Sequence, residues 1–160
     1  MIKTPLISSS NIRICVVGLG YVGFPLAIEF GKKYETIGFD INKRRIKELK
    51  EGFDRTLEIS NFNLKDIKSL ELTSNERRIA SSNIYIITVP TPIYENKTPN
   101  LEPIESASNL VGEYLGINNL VIYESTVYPG ATEQICVPIL QKRSSLKYNK
   151  TFFCGYSPER

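Results

Sequence analysis

Three glycines, Gly18, Gly20 and Gly23, stand at G-x-G-x-x-G spacing within the stretch "ICVVGLGYVG". Each place calls for glycine for its own reason. The first permits a tight turn off a strand, and the second lets the backbone approach a pyrophosphate. The third lets the following helix pack closely on that strand. The N-terminus of such a helix presents unbonded N–H groups and a partial positive charge to phosphate oxygens. Asp40 lies 20 residues beyond Gly20, where a dinucleotide site wants an acid to accept hydrogen bonds from the adenosine ribose. That carboxylate would repel a 2′-phosphate and so favours NAD over NADP. Lys43, Arg44 and Arg45 could neutralise such a phosphate and argue the other way.

Three glycines in six residues also arise by chance, so the motif has weight only between a strand and a helix. The flanking residues supply both. "NIRICVVG" is an unbroken, β-branched apolar run suited to a strand covered on both faces. "FPLAIEFGKK" then places Phe24, Ala27, Ile28 and Gly31 at helical spacing, with Pro25 in the first turn. "ETIGFD" is a second strand ending at Asp40. "NKRRIKELKEG" puts Ile46 and Leu49 on one helical face and stops at Gly52.

The middle is less regular. Ser60 or Asn61 is expected to cap a short helix through Ile67, "LELTS" to form a short strand, and Asn75 to cap a brief helix over "ERRIASS". Regularity returns with a strand over 84–89 broken by Pro90 and Pro92. A polar loop "YENKTPN" follows, then an amphipathic helix through Ile104, Ala107, Val111 and Leu115. Next come the strand "NNLVIYEST", a helix over "YPGATEQICVPILQKRS" that Pro138 kinks, and the strand "TFFCGY". Strands alternating with helices predict a Rossmann-type, doubly wound α/β fold with a mainly parallel sheet and helices on both faces.

The 160 residues, 41% of them apolar, suffice for one domain with a core. Twenty basic residues against 17 acidic ones give no strongly basic face, so nucleic acid is not an expected partner. There is no histidine, and Cys15, Cys136 and Cys154 have no CxxC spacing. His-dependent triads and a metal site are therefore not expected, and the thiols read as reduced and buried in a cytoplasmic protein. No run approaches the ~20 apolar residues of a membrane span, and the leader 1–10 is too polar for a signal peptide.

The motifs "GLGYVGFPLA", "GFDINKRRI", "TVPTP", "YESTVYPGATE" and "GYSPER" resemble those of the nucleotide-sugar 6-dehydrogenases, the UDP-glucose/GDP-mannose dehydrogenase family. The nearest branch is the bacterial enzymes acting on UDP-N-acetylhexosamines such as UDP-N-acetylglucosamine or UDP-N-acetylgalactosamine, for surface polysaccharides. The resemblance runs from about Arg13 to Arg160. It implies that residues 11–160 are an NAD-binding domain, with a UDP-sugar domain and a nucleophilic cysteine expected beyond position 160. It further implies oxidation of a sugar C6 alcohol to a carboxylate with two NAD, and a homodimer of the complete enzyme.

Carried onto this chain, the resemblance assigns the pyrophosphate to the glycine loop with Tyr21 and Val22, and the adenosine ribose to Asp40. Arg45 lies against the adenine side, and Val89 and Thr91 line the cofactor. Ser125 and Thr126 sit near the nicotinamide ribose and the reacting centre, and Glu159 acts in the aldehyde or thioester step. Thr91, Thr126 and Glu159 each fall just past a predicted strand's C-terminal end, the edge where open α/β sheets bind ligands.

Each position also has a plainer reading. Thr91, between prolines, shapes a turn, and Ser125 and Thr126 cap the helix near Pro129. Glu124 is a solvated strand-end acid, and Glu159 a surface acid beside Arg160. Two rival functions remain at this level: the front domain of a β-hydroxyacid or 6-phosphogluconate-type dehydrogenase, and a non-catalytic nucleotide-sensing module. None of the three cysteines is assigned to catalysis, since Cys15 and Cys154 fall within strands and Cys136 within a helix.

Overall fold

Ile14, Cys15, Val16 and Val17 are all buried, which for a strand requires cover on both faces. β1 (Arg13–Val17) has that cover because it lies inside the sheet, hydrogen-bonded in parallel to β2 (Glu35–Phe39) on one side and β4 (Ile84–Ile87) on the other. β3 (Leu70–Thr73), β5 (Asn119–Tyr123) and β6 (Phe152–Tyr156) complete the order β3-β2-β1-β4-β5-β6. Every pairing among these six strands is parallel. The computed structural model describes residues 11–60 and 62–157; the leader 1–10, Asn61 and Glu159 lie outside them.

Side chains alternate across the sheet, and the helices divide accordingly. Ile14 and Val16 pack with Phe24, Ala27 and Ile28 of α1 (Gly23–Gly31) and with Ile46 and Leu49 of α2 (Lys43–Lys50). Cys15 and Val17 face the opposite layer, with Ile104, Ala107 and Val111 of α3 (Glu102–Tyr114) and Leu140 of α4 (Val137–Ser144). Burial of each Val, Leu, Ile or Phe among them contributes about 1.5–3 kcal/mol before entropy is counted. This is the doubly wound arrangement that the alternation of patterns predicts. Among the described residues no helix is long and apolar enough to cross a membrane.

Three local details differ from or sharpen the expectation. The predicted helix through Ile67 is only a 3-10 turn, Leu64–Asp66, and its cap is Asn63, whose side chain accepts the Lys65 N–H, rather than Ser60. Asn75 does cap the 3-10 segment Glu76–Ser81, through the Arg77 N–H. The helix containing Pro138 opens with a π-helical stretch, Thr132–Cys136, in which the Val137 N–H reaches back to the Thr132 carbonyl. Proline has no N–H to give to the carbonyl four residues earlier, and the wider turn just before it is the local adjustment to that missing bond.

The register makes a single functional edge. Val17 pairs with both Phe39 and Ile87, and Ile87 pairs with Tyr123. Gly18, Asp40, Thr88 and Glu124 therefore leave their strands at one level. β1 and β4 are neighbours in space, but the chain goes outward through β2 and β3 before returning to β4. The edge above β1 and β4 is thus the point where the winding reverses, and ligands of open α/β sheets bind there.

Candidate functional site

Gly18 turns the chain off β1 with φ +95°, a conformation that L side chains rarely adopt. A Cβ at Gly23 would run into the Gly18 carbonyl oxygen and the Thr88 hydroxyl, so the start of α1 can sit against the turn only as glycine. A Cβ at Gly20 would meet no protein atom within 4 Å; its bareness serves the space outside the loop, not the packing beneath it. α1 has no side-chain cap. The N–H groups of Gly20, Tyr21 and Val22 donate to no described residue, leaving an uncapped helix end that suits an anion.

Asp40 is fixed by two backbone donors. Its Oδ2 accepts the Leu19 N–H at 2.8 Å and its Oδ1 the Asn42 N–H at 2.8 Å. The glycine loop and the β2 acid are thereby locked together, with carboxylate lone pairs left for further donors. Arg45 braces the same loop from below. Its Nε donates to the Leu19 carbonyl at 2.8 Å, and its Nη2 to Asp54 at 2.7 Å. The guanidinium also lies over the Phe24 ring, 5.5 Å from its centroid. Arg45 is 4% exposed, and its buried Nη1 has no hydrogen-bond partner. Burial pushes the Asp54 carboxyl upward, but hydrogen bonds from Thr56, Arg45 and Ile59 outweigh it and hold the group below its ordinary value.

At the other end two loops are stapled reciprocally. The Ser125 hydroxyl donates to the Val89 carbonyl at 2.6 Å, and the Thr91 hydroxyl donates to the Thr126 carbonyl at 2.7 Å. Neither Ser125 nor Thr126 caps the next helix, whose N-terminus has no side-chain cap. Thr88 completes the support, its hydroxyl donating to the carbonyls of Gly18 (2.6 Å) and Val17 (3.1 Å). A groove of about 660 Å³ runs past Gly18, Gly20, Asp40, Arg45 and Val89. A smaller pocket of about 140 Å³ continues it past Tyr21, Val22, Thr91, Glu124 and Thr126.

Residues 12–160 match the UDP-glucose/GDP-mannose dehydrogenase family, NAD binding domain. The chain belongs to this family. It is 54% identical over 150 residues to the UDP-N-acetyl-D-glucosamine 6-dehydrogenase of Pseudomonas aeruginosa, covering 94% of this chain and 36% of that enzyme. The corresponding enzyme of Salmonella typhi is 52% identical over 150 residues, covering 94% and 35% respectively. Among solved structures, the UDP-D-ManNAc dehydrogenase of Pyrococcus horikoshii superposes with a TM-score of 0.83 at 33% identity, over 93% of this chain and 36% of that one. The chain thus spans about a third of the length of the relatives it matches.

As an NAD-binding domain of this family, the chain brings nearly all the expected site residues to one edge. Gly18, Gly20, Tyr21, Val22, Gly23, Asp40, Arg45, Val89, Thr91, Ser125 and Thr126 all lie along the groove and its extension or directly beneath them. Glu159 lies outside the described residues. The residues present fit the dinucleotide: the uncapped helix end and the open face at Gly20 are donors and space without internal use.

Sequence reasoning passed over Thr88 and Asp54. Thr88 had no local signal, because only the β1–β4 register sets it beside Gly18. Asp54 had no signal beyond being an acid after a helix. The cysteines are silent. Burial raises the Cys15 and Cys136 thiols and pushes Cys154 up to about 12, the reverse of an activated nucleophile.

Proposed function

We propose that the protein carrying this domain oxidises the C6 alcohol of a UDP-N-acetylhexosamine to the uronate, in the cytoplasm, for surface polysaccharide synthesis. The balance is one alcohol, one water and two NAD⁺ giving one carboxylate, two NADH and three protons. NAD supplies the hydride acceptor. The observation that carries the reading is the Asp40 carboxylate locked to the Leu19 N–H beside an uncapped helix end, in a chain more than half identical to two UDP-N-acetyl-D-glucosamine 6-dehydrogenases.

The roles follow the edge of the sheet. Gly20, Tyr21 and Val22 offer N–H groups to the pyrophosphate, and Asp40 holds the adenosine ribose. Arg45 keeps the loop in place beneath the adenine side through the Leu19 carbonyl. Asp40 sits at the β2 end, so the nicotinamide half extends the other way, past Val89 and Thr91 toward Ser125 and Thr126. Thr126 and Glu159 are the residues proposed to act beside the reacting carbon, Glu159 by orienting or activating water. The UDP-sugar binding site and the nucleophilic cysteine are proposed to lie in other parts of the complete enzyme, itself proposed to be a homodimer.

The test is to supply NAD and a panel of UDP-sugars to the complete enzyme and follow NADH absorbance. Two NADH per UDP-N-acetylhexosamine is the expected result. Reduction that stops at one NADH, or that needs a β-hydroxyacid instead, overturns the reading. The 160-residue chain alone is expected to bind NAD in calorimetry without oxidising any UDP-sugar.

A further inference from the structure

Two arginines, Arg45 and Arg55, line the groove beside Asp40, and a groove with two guanidiniums at the ribose end would ordinarily welcome a 2′-phosphate. Each, however, is already claimed. Arg45 is paired with Asp54 at 2.7 Å, both side chains being almost wholly buried. Arg55 forms a fork on Glu48, its Nε 2.6 Å from Oε2 and its Nη2 on Oε1. Glu48 also takes the Arg44 Nε at 3.0 Å. The hydrogen bonds from Arg55 come first among the causes that hold the Glu48 carboxyl below its ordinary value. Lys43 and Arg44 are exposed and do not line the groove.

We infer that Glu48 and Asp54 are cofactor-specificity residues: by occupying Arg55 and Arg45 they leave Asp40 unopposed, and NADP is excluded. Neither acid lines the groove; they act through the arginines, as positioning residues. Arg55, satisfied in a bidentate carboxylate fork, has few donors left for a phosphate. Arg45 gives Nη2 to Asp54 and Nε to the Leu19 carbonyl, its Nη1 is buried away from the groove, and its charge is largely cancelled by Asp54 at short range. The arrangement also explains how a basic helix start can follow the ribose acid without changing the cofactor.

The inference rests on the NAD site described above, and the two fail differently. If the site is wrong, the unaltered chain does not bind NAD. If only this inference is wrong, NAD binding stands and the preference does not move.

The experiment measures dissociation constants for NAD and NADP by calorimetry on the 160-residue chain and its E48Q and D54N variants. Glu48→Gln keeps the side chain's shape and frees Arg55; the expected result is a shift of about ten-fold or more in the NADP-to-NAD affinity ratio. Because the gain is electrostatic, it should shrink as ionic strength rises and the Debye length falls from about 30 Å toward about 3 Å. The double variant E48Q/R55A should lose it. Asp54→Asn, where it folds, should shift the ratio the same way through Arg45. A ratio unmoved in E48Q, or NAD and NADP affinities that fall together, overturns the inference, since a purely structural role would weaken both alike.

Discussion

The backbone N–H of Leu19 donates to the carboxylate of Asp40 at 2.8 Å, across 21 positions of sequence. The bond joins the middle of the glycine turn to the end of the neighbouring strand, so the acid is oriented before any ribose arrives. Replacing Asp40 with Asn keeps an acceptor for Leu19 but removes the charge. We expect NAD affinity to fall by about 10- to 100-fold, the range for a charged hydrogen bond worth about 1.5–3 kcal/mol, with little change in the melting temperature. Calorimetric titration beside a thermal melt checks both parts.

Gly20 and Gly23 are expected to separate cofactor binding from folding. Alanine at Gly23 must push against the Gly18 carbonyl and the Thr88 hydroxyl, which should cost about 1–3 kcal/mol as overpacking does. Alanine at Gly20 meets nothing in the protein. Gly20→Ala is expected to melt close to the unaltered chain yet lose NAD binding, whereas Gly23→Ala loses stability first. Paired melts with and without NAD distinguish the two. A Gly20→Ala variant that still binds NAD fully would remove this loop from the pyrophosphate site.

The strand–turn–helix at 13–31 was legible because local periodicity and turn chemistry agree there: four consecutive buried residues end at a glycine with positive φ, and helical spacing begins five residues later. The doubly wound fold, with helices on both faces of the sheet, follows from the alternation of such units. Thr88 was not legible, because its bonds to Val17 and Gly18 span some 70 positions and only the sheet register puts it there. The short helix near Ile67 was misplaced because Ser, Asn and Asp crowd that stretch and each is a competent cap. Only packing selects Asn63. The second reading of Ser125, as a helix cap, failed for a similar reason: its hydroxyl found the Val89 carbonyl on the adjacent loop.

Asp54 gives the fold an acid-sensitive lock. Its carboxyl is held below the ordinary value in the folded chain, so it binds its proton less readily folded than unfolded. The stabilisation is therefore fully present above the unfolded value, about 3.9, and is lost as pH falls through the lower folded value. Truncation by Asp54→Ala leaves the buried Arg45 uncompensated, a loss of about 3–5 kcal/mol at neutral pH. Urea unfolding at neutral pH should show that gap. Repeated at successively lower pH below about 4, it should show the two chains converging. A gap that stays constant with pH would mean that the pair contributes by shape alone.

The thiols test the proposal that the nucleophilic cysteine lies outside these 160 residues. Burial raises all three cysteines, and Cys154, the most accessible, is pushed up to about 12. At pH 8 only about one molecule in ten thousand would carry that thiolate, against roughly a quarter for an ordinary cysteine near 8.5. A disulfide reagent applied to the native chain should therefore label none of the three on the timescale of a free thiol, and all three once the chain is unfolded. Replacing Cys154 with Ser should leave NAD affinity within about two-fold, as expected of a surface-distant change. Rapid labelling of Cys154 in the folded chain, protected by NAD, would instead place a reactive sulfur at the cofactor edge and reopen the search for the nucleophile within these 160 residues.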